Sequence, residues 1–274
     1  MKRLSAVLIL TLVASAAVAE TVSIKGLQVL DETRYHRVES EALGRGYDVL
    51  VGLPQNYKES ADSTYPTIYI LDGGLLYPLL RGYYNYLRNS EEAPAAILVA
   101  VSYGSRDFET GNLRGTDYTA PSEEREYYGG AEKFQSFLAD ELLPFIETEY
   151  RSAPEQRVIF GQSLGGQFVL YTAQSQPDLF WGHIASNPAL HRNLPLFLEL
   201  NGETQPGRPQ SRLFVGSGSH DEPQFREPAV AWIEHWTSKD DLPWALEAVT
   251  LDTHTHFSAP PASFRQGLKW VFEL

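Results

Sequence analysis

The sequence contains no cysteine, and its 22 Lys and Arg are outnumbered by 35 Asp and Glu. The first absence excludes disulfides, thiolate metal sites, a cysteine nucleophile and attachment of a lipid to a thiol. The second argues against a nucleic-acid partner, because neutralising phosphates takes a surplus of basic side chains. Long apolar runs are missing beyond the first twenty residues, so no later segment qualifies as a membrane span. What remains is an ordinary globular composition, 43% hydrophobic and 21% charged over 274 residues, with room for one large domain.

The first residues read as a secretory signal. Met1-Lys2-Arg3 is a positive n-region, Leu4 to Val13 is almost continuously apolar, and Ala17-Val18-Ala19 is a small-residue cleavage pattern before Glu20. Cleavage after Ala19 leaves a domain of residues 20–274 and takes the net charge from −13 to −15, because Lys2 and Arg3 leave with the signal. The expectation is a periplasmic or secreted protein with no stable membrane insertion after cleavage. Nothing in the sequence sets its oligomeric state.

Strands alternate with helices along the rest. Val22 to Leu30, Tyr35 to Ala42 and Tyr47 to Leu53 have strand patterns, the last expected in an antiparallel edge. Thr67 to Leu71 and Ala95 to Val101 are short apolar runs of the kind buried on both faces of a parallel sheet, and a helical segment, Leu75 to Arg88, joins them as a βαβ unit. Phe134, Phe137, Leu138, Leu142, Phe145 and Ile146 fall on one helical face, which Pro144 should kink or end. Val158 to Phe160, Leu213 to Val215 and Trp244 to Leu251 continue the strands, Asn201 to Gln210 reads as a loop, and Phe264 to Phe272 closes the chain as a helix. The fold class is α/β: a mostly parallel central sheet with helices on both faces and antiparallel N-terminal strands.

The most informative chemistry lies at Gly161-Gln-Ser163-Leu-Gly165, where a buried strand meets a segment, Gln167 to Ser175, able to continue as a helix. A nucleophile elbow needs that order: a sharp strand-to-helix turn lifts the serine hydroxyl above the sheet, and glycines remove side chains that would collide with neighbouring backbone. A serine needs a base, and in this arrangement the histidine follows an acid that itself follows the serine. His256, in the loop before the closing helix, is the preferred base, with His254 the alternative; as a His-x-His pair they could instead suggest a metal, but no cluster of further ligands accompanies them. The preferred acid is Asp221, with Glu222 the alternative, both in a loop after a strand, or the serine and histidine work without one. The oxyanion donors are the backbone N–H of Leu164 and one from the loop Asp72-Gly73-Gly74-Leu75, with Leu75 nominated and Gly74 the alternative. No cofactor is needed for this chemistry, and no metal is expected.

The runs Tyr69-Ile-Leu-Asp-Gly-Gly74, Arg114-Gly-Thr-Asp-Tyr-Thr-Ala-Pro121 and Gly129 to Ile146, together with the elbow and the His256 loop, resemble the putative esterase (esterase D-like) family of α/β-hydrolases, nearest to its periplasmic siderophore esterase-like proteins. The resemblance spans roughly Tyr47 to Phe272. It implies the α/β-hydrolase fold and hydrolysis of a small-molecule carboxylic ester through an acyl-enzyme, with Ser163 matching the family's nucleophile and His256 its base. The sequence departs from the family in having Gln162 before the serine, where His is common, and the family does not settle Asp221 against Glu222.

The resemblance suggests a siderophore ester as substrate. A strongly acidic protein repels an anionic siderophore unless a local cluster, such as Arg81, Arg88, Arg106 and Arg114, offsets the charge. Arg114, Tyr118 and Arg81 are therefore candidate substrate-binding residues, although Arg114 could equally brace the Asp117 loop. Aromatic side chains, Tyr118 among them, could instead line a cleft for a feruloyl or acetyl ester of a sugar. An acyltransferase would use the same residues, and a catalytically silent binding protein on the same fold is the non-enzymatic alternative.

Overall fold

The computed structural model describes Leu30, residues 33–199 and residues 209–274, apart from residues 56 and 61. The segment expected to be a signal sequence, most of the strand expected over Val22 to Leu30 and most of the loop expected over Asn201 to Gln210 lie outside the described residues.

Eight strands form one sheet: β1 (Thr33–Ser40), β2 (Arg45–Gly52), β3 (Tyr65–Ile70), β4 (Ile97–Ser102), β5 (Ser152–Gln162), β6 (Gly182–Ser186), β7 (Ser211–Gly218) and β8 (Trp244–Leu251). Their spatial order is β1-β2-β4-β3-β5-β6-β7-β8. Strand β2 pairs antiparallel with both β1 and β4, and every pair from β4 through to β8 is parallel. The turn between β1 and β2 places Gly44 at φ 63°, a conformation glycine adopts without a Cβ clash.

The helices are α1 (Gly73–Asn89), α2 (Arg114–Asp117), α3 (Ala131–Phe137), α4 (Leu143–Glu149), α5 (Leu164–Ser175), α6 (Leu194–Phe197), α7 (Pro223–Thr237) and α8 (Ala259–Phe272). Alternation along the strands divides the interior into two layers. On one face Ile68, Ile70, Leu98, Ala100, Val158 and Phe160 meet α1 and α8 through Leu76, Leu80, Phe264 and Leu268. On the other, Tyr69, Val99, Ile159 and Val215 meet Phe134, Phe168 and Trp232 from α3, α5 and α7. Both layers are buried, so β3, β4 and β5 carry apolar runs.

The single helix expected through Phe134 and Ile146 is interrupted. Residues Leu138–Leu142 widen into a π-turn, with the Leu143 N–H bonded to Leu138 O five residues back, and α4 restarts with Pro144 in its first turn. Proline lacks the N–H and its ring crowds the carbonyl four residues earlier, so a local widening removes the clash without ending the helix. Four elements escaped the sequence pattern: the one-turn helices α2 and α6, strand β6 and helix α7. Strand β6, Gly-His-Ile-Ala-Ser, has no apolar run because its buried positions include His183 and Ser186. Helix α7 begins at Pro223 and contains Pro228, which obscures the spacing of its buried residues Ala229, Trp232 and Trp236.

All parallel strands point the same way, so the loops after β3, β5, β6, β7 and β8 emerge on one edge of the sheet. The two loops flanking the switch in strand order, after β3 and β5, are where an open α/β sheet presents its crevice. They carry Asp72–Leu75 and Ser163.

Candidate active site

Ser163 links β5 to α5 with φ 60° and ψ −116°. A serine held at positive φ is strained, and strain of this kind persists only where surrounding bonds over-determine it. Here the Ser163 N–H donates to Ser186 O at 3.0 Å, and Ser163 O accepts the N–H groups of Gln167 at 2.9 Å and Ala189 at 3.1 Å. Gly161 acts as the motif requires, since a Cβ there would collide with the Gly165 carbonyl; at Gly165 a Cβ would meet nothing closer than 3.5 Å, and the second crowded position is Gly166, where a Cβ would sit 2.8 Å from Ser186 O. Ser163 and Leu164 are half-buried at the start of α5.

The acid and the histidine meet. His256 Nδ1–H donates to Asp221 Oδ2 at 2.9 Å, and both residues are buried, at 7% exposure each. The same carboxylate accepts the Glu222 N–H through Oδ1 at 2.8 Å. Glu222 itself is exposed, and its carboxylate takes a bond from Gln224 Nε2 at 2.7 Å. His254 turns its Nδ1 to Ser258 O, 3.0 Å away. Of the two acids and two histidines the sequence left open, the geometry joins Asp221 to His256 and directs the others elsewhere. Phe225, on the first turn of α7, stacks on the His256 ring with centroids 4.5 Å apart. Sequence reasoning did not single out Phe225, since a lone aromatic after Pro223 gives no signal of facing an imidazole 31 positions later.

The backbone of the His256 loop is tied to the elbow. Gln162 Nε2–H donates to His256 O at 2.7 Å, so the residue that departs from the family pattern is the one that connects the two segments. Asn187, at the end of β6, donates to Thr255 O at 3.3 Å and accepts the Gly218 N–H at 2.7 Å. Its positive φ of 40° suits asparagine, but nothing in the sequence Ser-Asn-Pro marks it as part of a site.

The loop after β3 corrects one expectation. Leu75 N–H donates to Asp72 O at 2.9 Å, as Leu76 N–H does at 3.0 Å, so Leu75 is committed to the first turn of α1 and does not offer a free donor. Gly74 stands at the helix start, where N–H groups have no intrahelical acceptor. Gly73 packs so closely that a Cβ would lie 2.9 Å from the Ala100 carbonyl carbon.

The candidate substrate-binding residues are structural in this fold. Arg114 donates to both oxygens of Asp72, at 2.7 and 2.9 Å, and it is that loop, not Asp117, that it braces. Asp117 is bound instead by Arg45, Tyr47 and Tyr103, and burial raises its carboxyl above the usual range despite the arginine. Tyr118 is fully buried and its hydroxyl accepts the Asp72 N–H at 3.2 Å. Arg81 is 4% exposed and donates to Leu53 O at 2.8 Å. Arg88 donates to Ala93 O at the far end of α1. Three of the four candidate arginines are therefore committed within the fold, and the fourth, Arg106, is exposed in the loop after β4. Two large apolar side chains stand exposed on the site's loops: Leu75 is 77% exposed and Phe257, beside His256, 87%.

Comparison with known proteins places this geometry. Residues 40–269 match the putative esterase family. The chain is 29% identical over 181 residues to ferri-bacillibactin esterase BesA of Bacillus subtilis, covering 61% of this chain and 62% of that protein, so the match spans about three fifths of the relative's length. Among solved structures, the BES protein from Bacillus cereus superposes with a TM-score of 0.75 at 20% identity over 99% of both chains. An IroE-like serine hydrolase from Shewanella oneidensis gives 0.74 at 22% identity, over 88% of this chain and 80% of the other. These structural likenesses establish the α/β-hydrolase fold.

Proposed function

The chain belongs to the putative esterase family, and on that premise we propose that it is a serine ester hydrolase working through an acyl-enzyme. The observation that carries the reading is the buried Asp221–His256 bond, joined through Gln162 to the strained serine elbow. With Nδ1–H held by the carboxylate, the imidazole keeps Nε2 as the acceptor that a general base needs. His256 takes the hydroxyl proton as Ser163 Oγ attacks the ester carbonyl. The tetrahedral oxyanion is stabilised by the Leu164 and Gly74 N–H groups and by the positive end of α5. His256 then returns the proton to the departing alcohol, and a water activated by the same nitrogen attacks the acyl-serine, releasing acid and free enzyme.

The substrate we propose is a siderophore ester, supported by the activity named for the B. subtilis relative. A second reading, a feruloyl or acetyl ester on a sugar, is favoured by the commitment of three of those arginines within the fold and by the exposed apolar side chains of Leu75 and Phe257. Reading residues 1–19 as a cleaved signal puts the reaction outside the cytoplasm, and N-terminal sequencing of the exported protein checks it.

Folded Ser163→Ala should lose hydrolysis of a short p-nitrophenyl ester and covalent labelling by a fluorophosphonate; wild-type turnover in that variant would sink the assignment. Turnover of ferric catecholate siderophores against feruloylated and acetylated sugars then separates the substrates. Product ratios in the presence of an alcohol acceptor separate hydrolase from acyltransferase, and a wild-type protein that neither labels nor turns over would be a binding protein.

A further inference from the structure

Three consecutive carbonyls of the loop that carries His256 are each held by the end of a different strand. His254 O accepts the His220 N–H, from the loop after β7, at 2.9 Å. Thr255 O accepts Asn187 Nδ2–H, from the end of β6, at 3.3 Å, and His256 O accepts Gln162 Nε2–H, from the last residue of β5, at 2.7 Å. Approach at the first contact is so close that a Cβ on Gly218 would collide with His254 O. The loop, residues 252–258, is also held by Thr253 N–H on Ser219 Oγ at 2.8 Å and by the His256 ring on Asp221, but the three carbonyl bonds are the ones that fix the backbone beside the imidazole.

Two of the three donors are buried amide side chains, Asn187 at 1% exposure and Gln162 at 9%. The Asn187 amide also holds the Gly218 N–H, so it ties the acid-bearing and histidine-bearing loops to one strand end. Gln162 Oε1 is buried without a partner among the described residues, which leaves donation to His256 O as the bond that orients this amide. Asp221 and Phe225 fix the rotation and tilt of the His256 ring, but its height above Ser163 follows its backbone. Because Gln162 directly precedes Ser163, a single side chain spans the distance between the main chains of nucleophile and base.

We propose that Gln162 and Asn187 are positioning residues that register the His256 backbone against Ser163. Neither touches substrate in this scheme, and the proposal rests on the assignment of Ser163 and His256 given above. Misplacing a reacting group by about 1 Å costs on the order of 100-fold in rate, so loss of one tether should lower turnover without changing substrate affinity.

The test uses the full chain with Gln162→Leu, which keeps similar volume without a donor, and Asn187→Asp, which keeps the acceptor for Gly218 N–H and loses the donor to Thr255 O. Each should lower kcat for p-nitrophenyl acetate by roughly 10- to 100-fold with KM nearly unchanged. Gln162→His, which restores a ring N–H at that position, should recover most of it. In proton NMR the His256 Nδ1–H resonance, sharp in the wild type and absent in His256→Ala, should broaden in Gln162→Leu although Asp221 is intact. Wild-type kcat together with an unchanged resonance in folded Gln162→Leu would overturn the proposal; should that variant not fold, Asn187→Asp decides by the same two readouts. If the wild type itself fails to turn over esters or to label at Ser163, the esterase reading falls, and the imidazole resonance still decides whether the tethers position the ring.

Discussion

Arg114 reaches across 42 positions of sequence to hold Asp72 with two N–H donors, at 2.7 and 2.9 Å, and the Asp72 backbone sits in the left-handed region at φ 53°. This fork, with the Tyr118 hydroxyl on the Asp72 N–H, sets the course of the loop whose Gly74 N–H is assigned to the oxyanion. The arginine that the sequence offered to an anionic substrate is spent on building the site.

Replacing Arg114 by Met should therefore lower stability by about 1–3 kcal/mol, the range for stranding a partly buried carboxylate, and lower kcat with little change in KM. Arg114→Lys should recover only part, because an ammonium cannot make the paired bonds. Chemical denaturation and steady-state kinetics on neutral and anionic esters check this. A rise in KM confined to anionic esters would instead mark Arg114 as a substrate contact.

Asp221 and Glu222 are adjacent, yet only Asp221 faces the imidazole. Asp221→Asn should reduce kcat by about 10³- to 10⁴-fold, since an amide holds the wrong tautomer of the base, whereas Glu222→Gln should stay within about twofold of wild type. Equal losses in the two variants would contradict the assignment.

Ser163 is held at φ 60°, where a side chain is strained. Ser163→Gly should abolish hydrolysis and raise stability by about 1 kcal/mol, the strain relieved less the entropy cost of glycine. A thermal melt of this variant beside Ser163→Ala, which keeps the Cβ and the strain, separates the backbone effect from loss of the hydroxyl.

His183 is fully buried in β6, and burial pushes its imidazole down to about 3. Between that value and the unfolded value near 6.5 the unfolded chain binds a proton that the folded chain does not. Stability should therefore fall as the pH drops through this window, by up to about 1.4 kcal/mol per pH unit from this group. In His183→Leu the dependence should be shallower by one proton, as read from urea unfolding between pH 7 and 4.

The sequence by itself determined the parts governed by local sterics. The βαβ unit follows from two doubly buried apolar runs around an amphipathic helix. The elbow follows from the Gly161-x-Ser163-x-Gly165 spacing between a buried strand and a helix, and the structure shows the steric need at Gly161, where a Cβ would collide with the Gly165 carbonyl. Its reach ended where local pattern carries no information: β6, whose core position is a histidine, and α7, whose spacing is broken by two prolines.

Tertiary structure alone decided which side chains are partners. Asp221 over Glu222 and His256 over His254 depend on which way two loops from different strands face, a matter settled by bonds across tens of residues. The commitment of Leu75 N–H, the burial of Arg81 and Tyr118, and the hold of Gln162 and Asn187 on the His256 loop have the same origin. The physical reason is that a glycine pattern constrains the chain within a turn. A hydrogen bond between loops exists only after the parallel strands have aligned and brought their ends to one edge of the sheet.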